Sequence, residues 1–362
     1  MKILKIHHLY IIKNFMKNFM KVTGVFICVI FIMNLFEEIN FLKNTDAKIF
    51  LSIFLTLLNL PSILFEVFPF IFLLTSIIFF LNIINSKEIE VLRIFGLNNF
   101  ALLRILSFTS LLISLFIVSI FYHLSANLRF KYLDIKNSFT KDDKYLAVIT
   151  GNGLWIRDEL KDRINIINAS KINGDYLEDV IISEFDKDFT IMKIISSDKA
   201  YIKNNEWLLQ NVFINLQNQR IAKDNMLFIS NFNLDKLLSM FDNLSALSLF
   251  EIGKLKKDYQ LLGYSTNLID NYRHKIYSYP IYLVLMFLIG SILILKIKHN
   301  KPKVFYIVTG ILLSVTIYYI NFFISNISEA KNISFMISVW GIQFIYFLII
   351  IINLIKINEK CL

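Results

Sequence analysis

Residues 85–98, NSKEIEVLRIFGLN, decide how this chain is organised. Long apolar runs flank them, so the segment belongs at a membrane face, where Lys87, Glu88, Glu90 and Arg93 stay hydrated. It reads as a short polar helix held between two membrane spans. Glu88, Val91 and Leu92 fall at helical spacing on one side, and Phe95 continues that row. Gly96 adopts the left-handed conformation without a side-chain penalty, so it can end the helix before Asn98 and Asn99 open the next. An ordinary hairpin loop that only ties two spans together is the plainer alternative.

Working outward, the 362-residue chain is 56% hydrophobic with a mean hydropathy of +0.58, too apolar for a soluble protein. Its apolar runs are separated by one polar block, Leu128 to Lys275, which gives the order membrane bundle, extramembrane domain, membrane bundle. The formal charge of +10 raises nucleic acid as a partner, but the positive charge concentrates in short segments beside the spans, where it orients a membrane protein. No nucleic-acid partner is expected. Cys28 and Cys361 fit neither a disulfide framework nor a metal knuckle, and the histidines make no ligand pattern, so no metal or cofactor is expected.

Upstream, residues 1–21 carry five lysines and no acid, and Lys13, Lys17 and Lys21 form a basic stripe suited to an anionic leaflet. This interfacial helix leads into a first span at about 22–42, read as uncleaved because no small-x-small site follows. Pro61 and Pro69 interrupt residues 49–84. Residues 49–60 then read as a surface-lying helix and 61–84 as the second span. Glu66 lies in that span, where an ionisable group should face protein or water rather than lipid. The third span covers about 100–127 and completes an N-terminal membrane half, 1–128.

Over 129–233 the period changes to two, as in KYLAVITG, RINIINASKI, DVIISEF, FTIMKIIS and EWLLQNVFINLQ, with turn-prone clusters between. Eight or so strands at this spacing make an antiparallel sandwich, jelly roll or open barrel. No nucleophile with a base, paired carboxylates or metal cluster stands among them. Residues 234–276 read as a helical connector, in which Ser248 and Glu251 have the capping-box spacing. The C-terminal membrane half, 277–362, holds spans at about 277–295, 304–324 and 333–355. By the positive-inside rule both termini, the 85–98 loop and the 296–303 loop are cytoplasmic, and the strand domain lies outside. The fold class is a membrane α-helical bundle of six spans, three plus three, with an inserted periplasmic all-β, jellyroll-like domain.

This arrangement resembles the LptF/LptG (YjgP/YjgQ type) family of lipopolysaccharide export permeases. The likeness rests on PSILFEVFPF followed by KEIEVLRIFGL within 61–97, GLWIRDE at 153–159, EFDKDFTIMKIISSDKAYIKNNEWLL at 184–209 and SLFEIGKLKKDYQLLGYSTNLIDNYRHKIYSYP at 248–280. The GLWIRDE segment looks closer to LptG than to LptF. The resemblance implies a non-catalytic transport subunit of an ABC-type exporter. It would pair with a homologous permease, be driven by a cytoplasmic ATPase dimer, and pass lipopolysaccharide from the outer leaflet of the inner membrane to a single-span periplasmic jellyroll protein.

Carried onto this chain, residues 85–98 become the coupling helix that docks on the ATPase. Glu88 and Arg93 would make its polar contacts, Val91, Leu92 and Phe95 its apolar ones, and Gly96 the turn into span three. Lys43 and Lys48, with Glu66, are the candidates for lipid contact, although ordinary solvated loop charges would look the same. The chain has no G-x-x-x-x-G-K-[ST] nucleotide loop, so ATP hydrolysis is expected in a partner. Two other functions compete. A permease that transmits force without moving lipid would have four spans, and an intramembrane hydrolase or sensor would need catalytic groups paired within spans.

Overall fold

The computed structural model describes residues 6–43, 49–139, 146–150, 153–160, 163–173, 175–186, 189–216, 219–233, 243–261, 266–296, 302–330, 334 and 336–359. They form two compact units, one comprising the chain up to Arg129 and again from Asp270 onward, the other Phe130–Ile269.

The first unit is helical: α1 (Ile6–Leu42), α2 (Ile49–Asn85), α3 (Glu88–Ile94), α4 (Asn99–Phe116) and the start of α5 (Tyr122–Ser138), which continues into the second unit, the last two joined through a π-helical turn at Ile117–Phe121. After the second unit come α7 (Asn267–Lys296), α8 (Lys303–Ala330), a π-helical turn at Met336–Gly341 and α9 (Ile342–Glu359), with α6 (Leu249–Leu261) lying before them in the second unit. Among the described residues six helical stretches are long and apolar enough to cross a membrane. The apolar windows of α2 and α7 are 72% and 61% buried, against 17–33% for the other four, so α2 and α7 form the centre and the rest turn flanks outward.

Several boundaries differ from the sequence expectation: the third span continues as helix to Ser138, so the strands begin at Leu146 and not at 129, and α7 begins at Asn267, within the expected connector. α1 is one helix, not an interfacial helix followed by a span. α2 likewise runs unbroken through Pro61 and Pro69, so the separate surface helix expected at 49–60 is the start of the same rod. In hydrocarbon a broken helix would expose backbone groups that no water can satisfy. A proline is therefore absorbed within the helix when neighbours bond the freed carbonyl.

Close packing at the centre depends on two glycines. A Cβ at Gly290 of α7 would lie 2.1 Å from Ser76 Oγ and 2.6 Å from the Leu73 carbonyl of α2. At Gly310 of α8 it would lie 2.3 Å from Ile77 Cδ1. Phe15 of α1 fills the remaining space edge-on, 5.6 Å from Phe79 and 5.5 Å from Phe287 between ring centroids.

A polar ladder joins α7 to the helices after it. Asn271 accepts from Ser338, Ser278 accepts from Gln343 at 2.8 Å, and Tyr282 accepts from Asn321, which in turn accepts from Tyr346. The α7 residues recur at helical spacing on one face, and each pairing keeps a polar group satisfied inside an apolar bundle.

The second unit is an antiparallel sheet of β1 (Leu146–Thr150), β2 (Gly153–Leu160), β3 (Arg163–Ala169), β4 (Lys171–Asn173), β5 (Tyr176–Phe185), β6 (Ile191–Tyr201), β7 (Glu206–Leu216) and β8 (Gln219–Ile229). Its order is β1-β2-β3-β5-β6-β7-β8, with β4 on β5 alone. It is thus a meander whose edges, β1 and β8, do not pair with each other.

Burial alternates along β3, β5 and β7, and the buried residues form one core from β2 to β8 and Phe232, so the sheet curls over its own inner face. Register places Ile156, Ile167, Ile182, Ile195, Ile214 and Ile221 side by side on that face, an isoleucine row across six strands. The adjacent outer row is Trp155, Asn168, Ile181, Ser196, Phe213 and Ala222. Towards one end the inner face turns polar. Glu184 there is held by Arg163 at 2.6 Å and Lys193 at 2.8 Å, and buried Asp158 accepts from Ser230 Oγ and from the backbone and side chain of Asn231. The capping box at Ser248 is formed, with Ser248 N donating to Glu251 Oε2 at 2.8 Å and Glu251 N donating back to Ser248 Oγ at 3.3 Å.

Candidate coupling site

α3 is only seven residues long, and its geometry comes from the turns at either end. Lys87 enters it with φ 57°, a left-handed conformation that costs a non-glycine residue about 1–2 kcal/mol. That turn folds the chain from α2 straight into α3. At the other end Gly96 has φ +80°, its N–H donates to Arg93 O at 2.9 Å, and the Leu97 N–H donates to Leu92 O at 3.0 Å. This pair of bonds is the Schellman termination, and Leu92 and Leu97, which such a turn brings together, are both buried in the bundle core. Asn98 then caps α4 by accepting from Ala101 N at 2.8 Å.

The turn fixes which face of α3 points outward. Ile89 and Leu92 pack inward on the core, whereas Val91, Ile94 and Phe95 are exposed, with exposed Glu90 and Arg93 among them. Leu92, expected among the apolar contacts, is 6% exposed and anchors the helix in the bundle core, and Ile94 is the most exposed of the outward three at 83%. Glu88 and Glu90 in the first turn and Arg93 in the last complement the helix dipole.

Glu88 and Arg93 already have partners within the chain. Tyr10 OH donates to Glu88 Oε2 at 3.1 Å, and Arg93 Nη2 donates to Asn99 Oδ1 at 3.3 Å. The His7 ring lies parallel to the Phe95 ring, 6.4 Å between centroids. The first turns of α1 thus brace α3 from outside. Nothing in the sequence marks Tyr10 or His7 for this role, since the contact spans a long sequence separation between two unrelated motifs. Leu97 was legible, because the position after a terminating glycine commonly packs back on the helix.

Lys43 is exposed just past α1, Lys48 lies outside the described residues, and Glu66 sits in α2, 3.8 Å from Arg129 Nη1. Arg129 also donates to Ser62 Oγ at 2.6 Å, which makes it the partner of this part of α2. Among the described residues no group of His, Cys, Asp or Glu side chains could hold a metal ion. α3 thus presents an apolar edge, Val91, Ile94 and Phe95, set between Glu90 and Arg93 of opposite charge. A search of curated proteins gives no match. The family model for the lipopolysaccharide export system permease LptF/LptG matches residues 9–356.

Proposed function

The chain belongs to the LptF/LptG family of lipopolysaccharide export permeases and is a multi-pass inner-membrane transport component; from that premise we propose that it is the LptG-like permease of an ABC-type exporter. In this reading it pairs with a homologous permease and is driven by a cytoplasmic ATPase dimer. It extracts lipopolysaccharide from the outer leaflet and passes it to a single-span periplasmic jellyroll protein.

The observation that carries the coupling is the outward edge of α3, with Val91, Ile94 and Phe95 exposed over a helix clamped by Leu92 and Leu97. A surface held that firmly transmits a push from a docked partner to α2 and α4 instead of absorbing it. With α3 and both termini at the cytoplasmic face, the β unit lies in the periplasm. Its isoleucine row then supplies an apolar inner face along which acyl chains slide, and its jellyroll-like curl leaves an edge for the next protein of the bridge. Six candidate spans weigh against the four-span permease that moves no lipid.

Purifying the intact complex from membranes, with identification of its proteins and bound lipid, tests this directly. A homologous permease, an ATPase and lipopolysaccharide should be recovered together. Recovery of the ATPase with no glycolipid would refute the export reading.

A further inference from the structure

Pro69 has no N–H, so the carbonyl four residues before it, that of Phe65, loses its intrahelical donor. The hydroxyl of Tyr279 on α7 donates to that same Phe65 carbonyl. The Tyr279 ring also stacks on the Phe65 ring, 4.5 Å between centroids and 18° between planes. A side chain from another helix thus takes over the bond that proline deletes.

The two halves of α2 on either side of this point are held differently. From Phe72 to Asn85, the half that leads into α3 is locked: Gly290 sits against Leu73 and Ser76, and Phe15 packs between Phe79 and Phe287. The half before Pro69 is tied by polar side chains. Asn59 Nδ2 donates to Asn34 Oδ1 at 3.4 Å, and Arg129 Nη1 donates to Ser62 Oγ at 2.6 Å. A helix lacking an interior bond bends most easily there, so Pro69 divides α2 into two rods with Tyr279 at the joint.

We propose that Tyr279 is a positioning residue for α2, bonding the carbonyl that Pro69 orphans and thereby setting the angle between the two rods. With the bond made, a tilt of α3 reaches Ser62 and Arg129 as one rigid movement. With it broken, the tilt is absorbed at Pro69. This inference stands on α2 and α7 and does not depend on what the protein transports.

The test is a two-by-two set of full-length variants, Tyr279→Phe and Pro69→Ala alone and combined, in a Cys28→Ala, Cys361→Ala background. Spin labels at Ile63→Cys and Asn85→Cys, with Pro69 and not Pro61 between them, report the distance between the rods in lipid nanodiscs. Phe at 279 keeps the stacked ring and removes only the donor. Ala at 69 returns the helix's own donor to Phe65 and keeps α2 helical. Tyr279→Phe should roughly double the width of the distance distribution where Pro69 is present, because the bend has lost its outside restraint. In the Pro69→Ala background the same substitution should leave the distribution unchanged. An effect of equal size in both backgrounds, or none in either, overturns the proposal.

Discussion

Tyr10 donates its hydroxyl to Glu88 across 3.1 Å, so the start of α1 holds a helix 78 residues further along the chain. Glu88 therefore has an internal role as well as the proposed external one, and the two can be separated. Tyr10→Phe frees the carboxylate without removing it, while Glu88→Ala removes both contacts. An exposed hydrogen bond of this kind contributes about 1 kcal/mol. Glu88→Ala and Arg93→Ala should weaken ATPase co-purification strongly and Tyr10→Phe by a smaller factor, all three with normal amounts of protein in the membrane. If Glu88→Ala retained its full complement of ATPase, the docking role of α3 would have to be given up.

The two helix-packing glycines should respond unequally to alanine. At Gly310 the new methyl meets the tip of Ile77, which can rotate away, whereas at Gly290 it meets the Leu73 carbonyl and a serine bonded to it at 2.7 Å. Overpacking against backbone costs about 1–3 kcal/mol. Thermal unfolding of the purified protein should thus show a larger loss for Gly290→Ala than for Gly310→Ala. The reverse order would mean that α7 does not press on α2 as described.

Asp158 ties β2 to the end of β8 through three hydrogen bonds, and it is fully buried. Removing it takes the acceptor from the Ser230 and Asn231 donors, and a buried donor left unsatisfied costs about 1–3 kcal/mol. Asp158→Ala should therefore lower hydrogen-exchange protection along β8 in the full-length protein, and Asp158→Asn should do so less. Unchanged protection in both would show that β8 is held by its ladder with β7 alone.

Much of this architecture is legible in the residues because two different periods run along the chain. Long apolar runs give the six helices, and strict alternation gives most of the strands. β8, QRIAKDNMLFI, escapes that pattern. It is an edge strand with nearly all its residues exposed, so no face of it needs to be apolar. Pro61 and Pro69 read as breaks because helix propensity is a rule for water, whereas here α7 supplies the missing donor at Phe65.

At the coupling site the turn at Gly96 follows from the sequence, and the inward direction of Leu92 follows only from where the bundle lies. Helical spacing groups Glu88, Val91, Leu92 and Phe95 on one side but does not say which edge of that side is covered. Tyr10, His7, Arg129 and Tyr279 act across helices, and no local pattern encodes them.

The central claim, that a push on α3 ends as lipid moving along the inner face of the β unit, is tested most directly by photo-crosslinking in the assembled exporter. A photoreactive residue placed at Ile195, in the isoleucine row, is compared with one at Ser196 in the outer row. The account predicts an ATP-dependent lipopolysaccharide adduct at 195 and none at 196, and loss of the 195 adduct in Glu88→Ala. Equal adducts at both positions, or an adduct at 195 that forms without ATP, would contradict it.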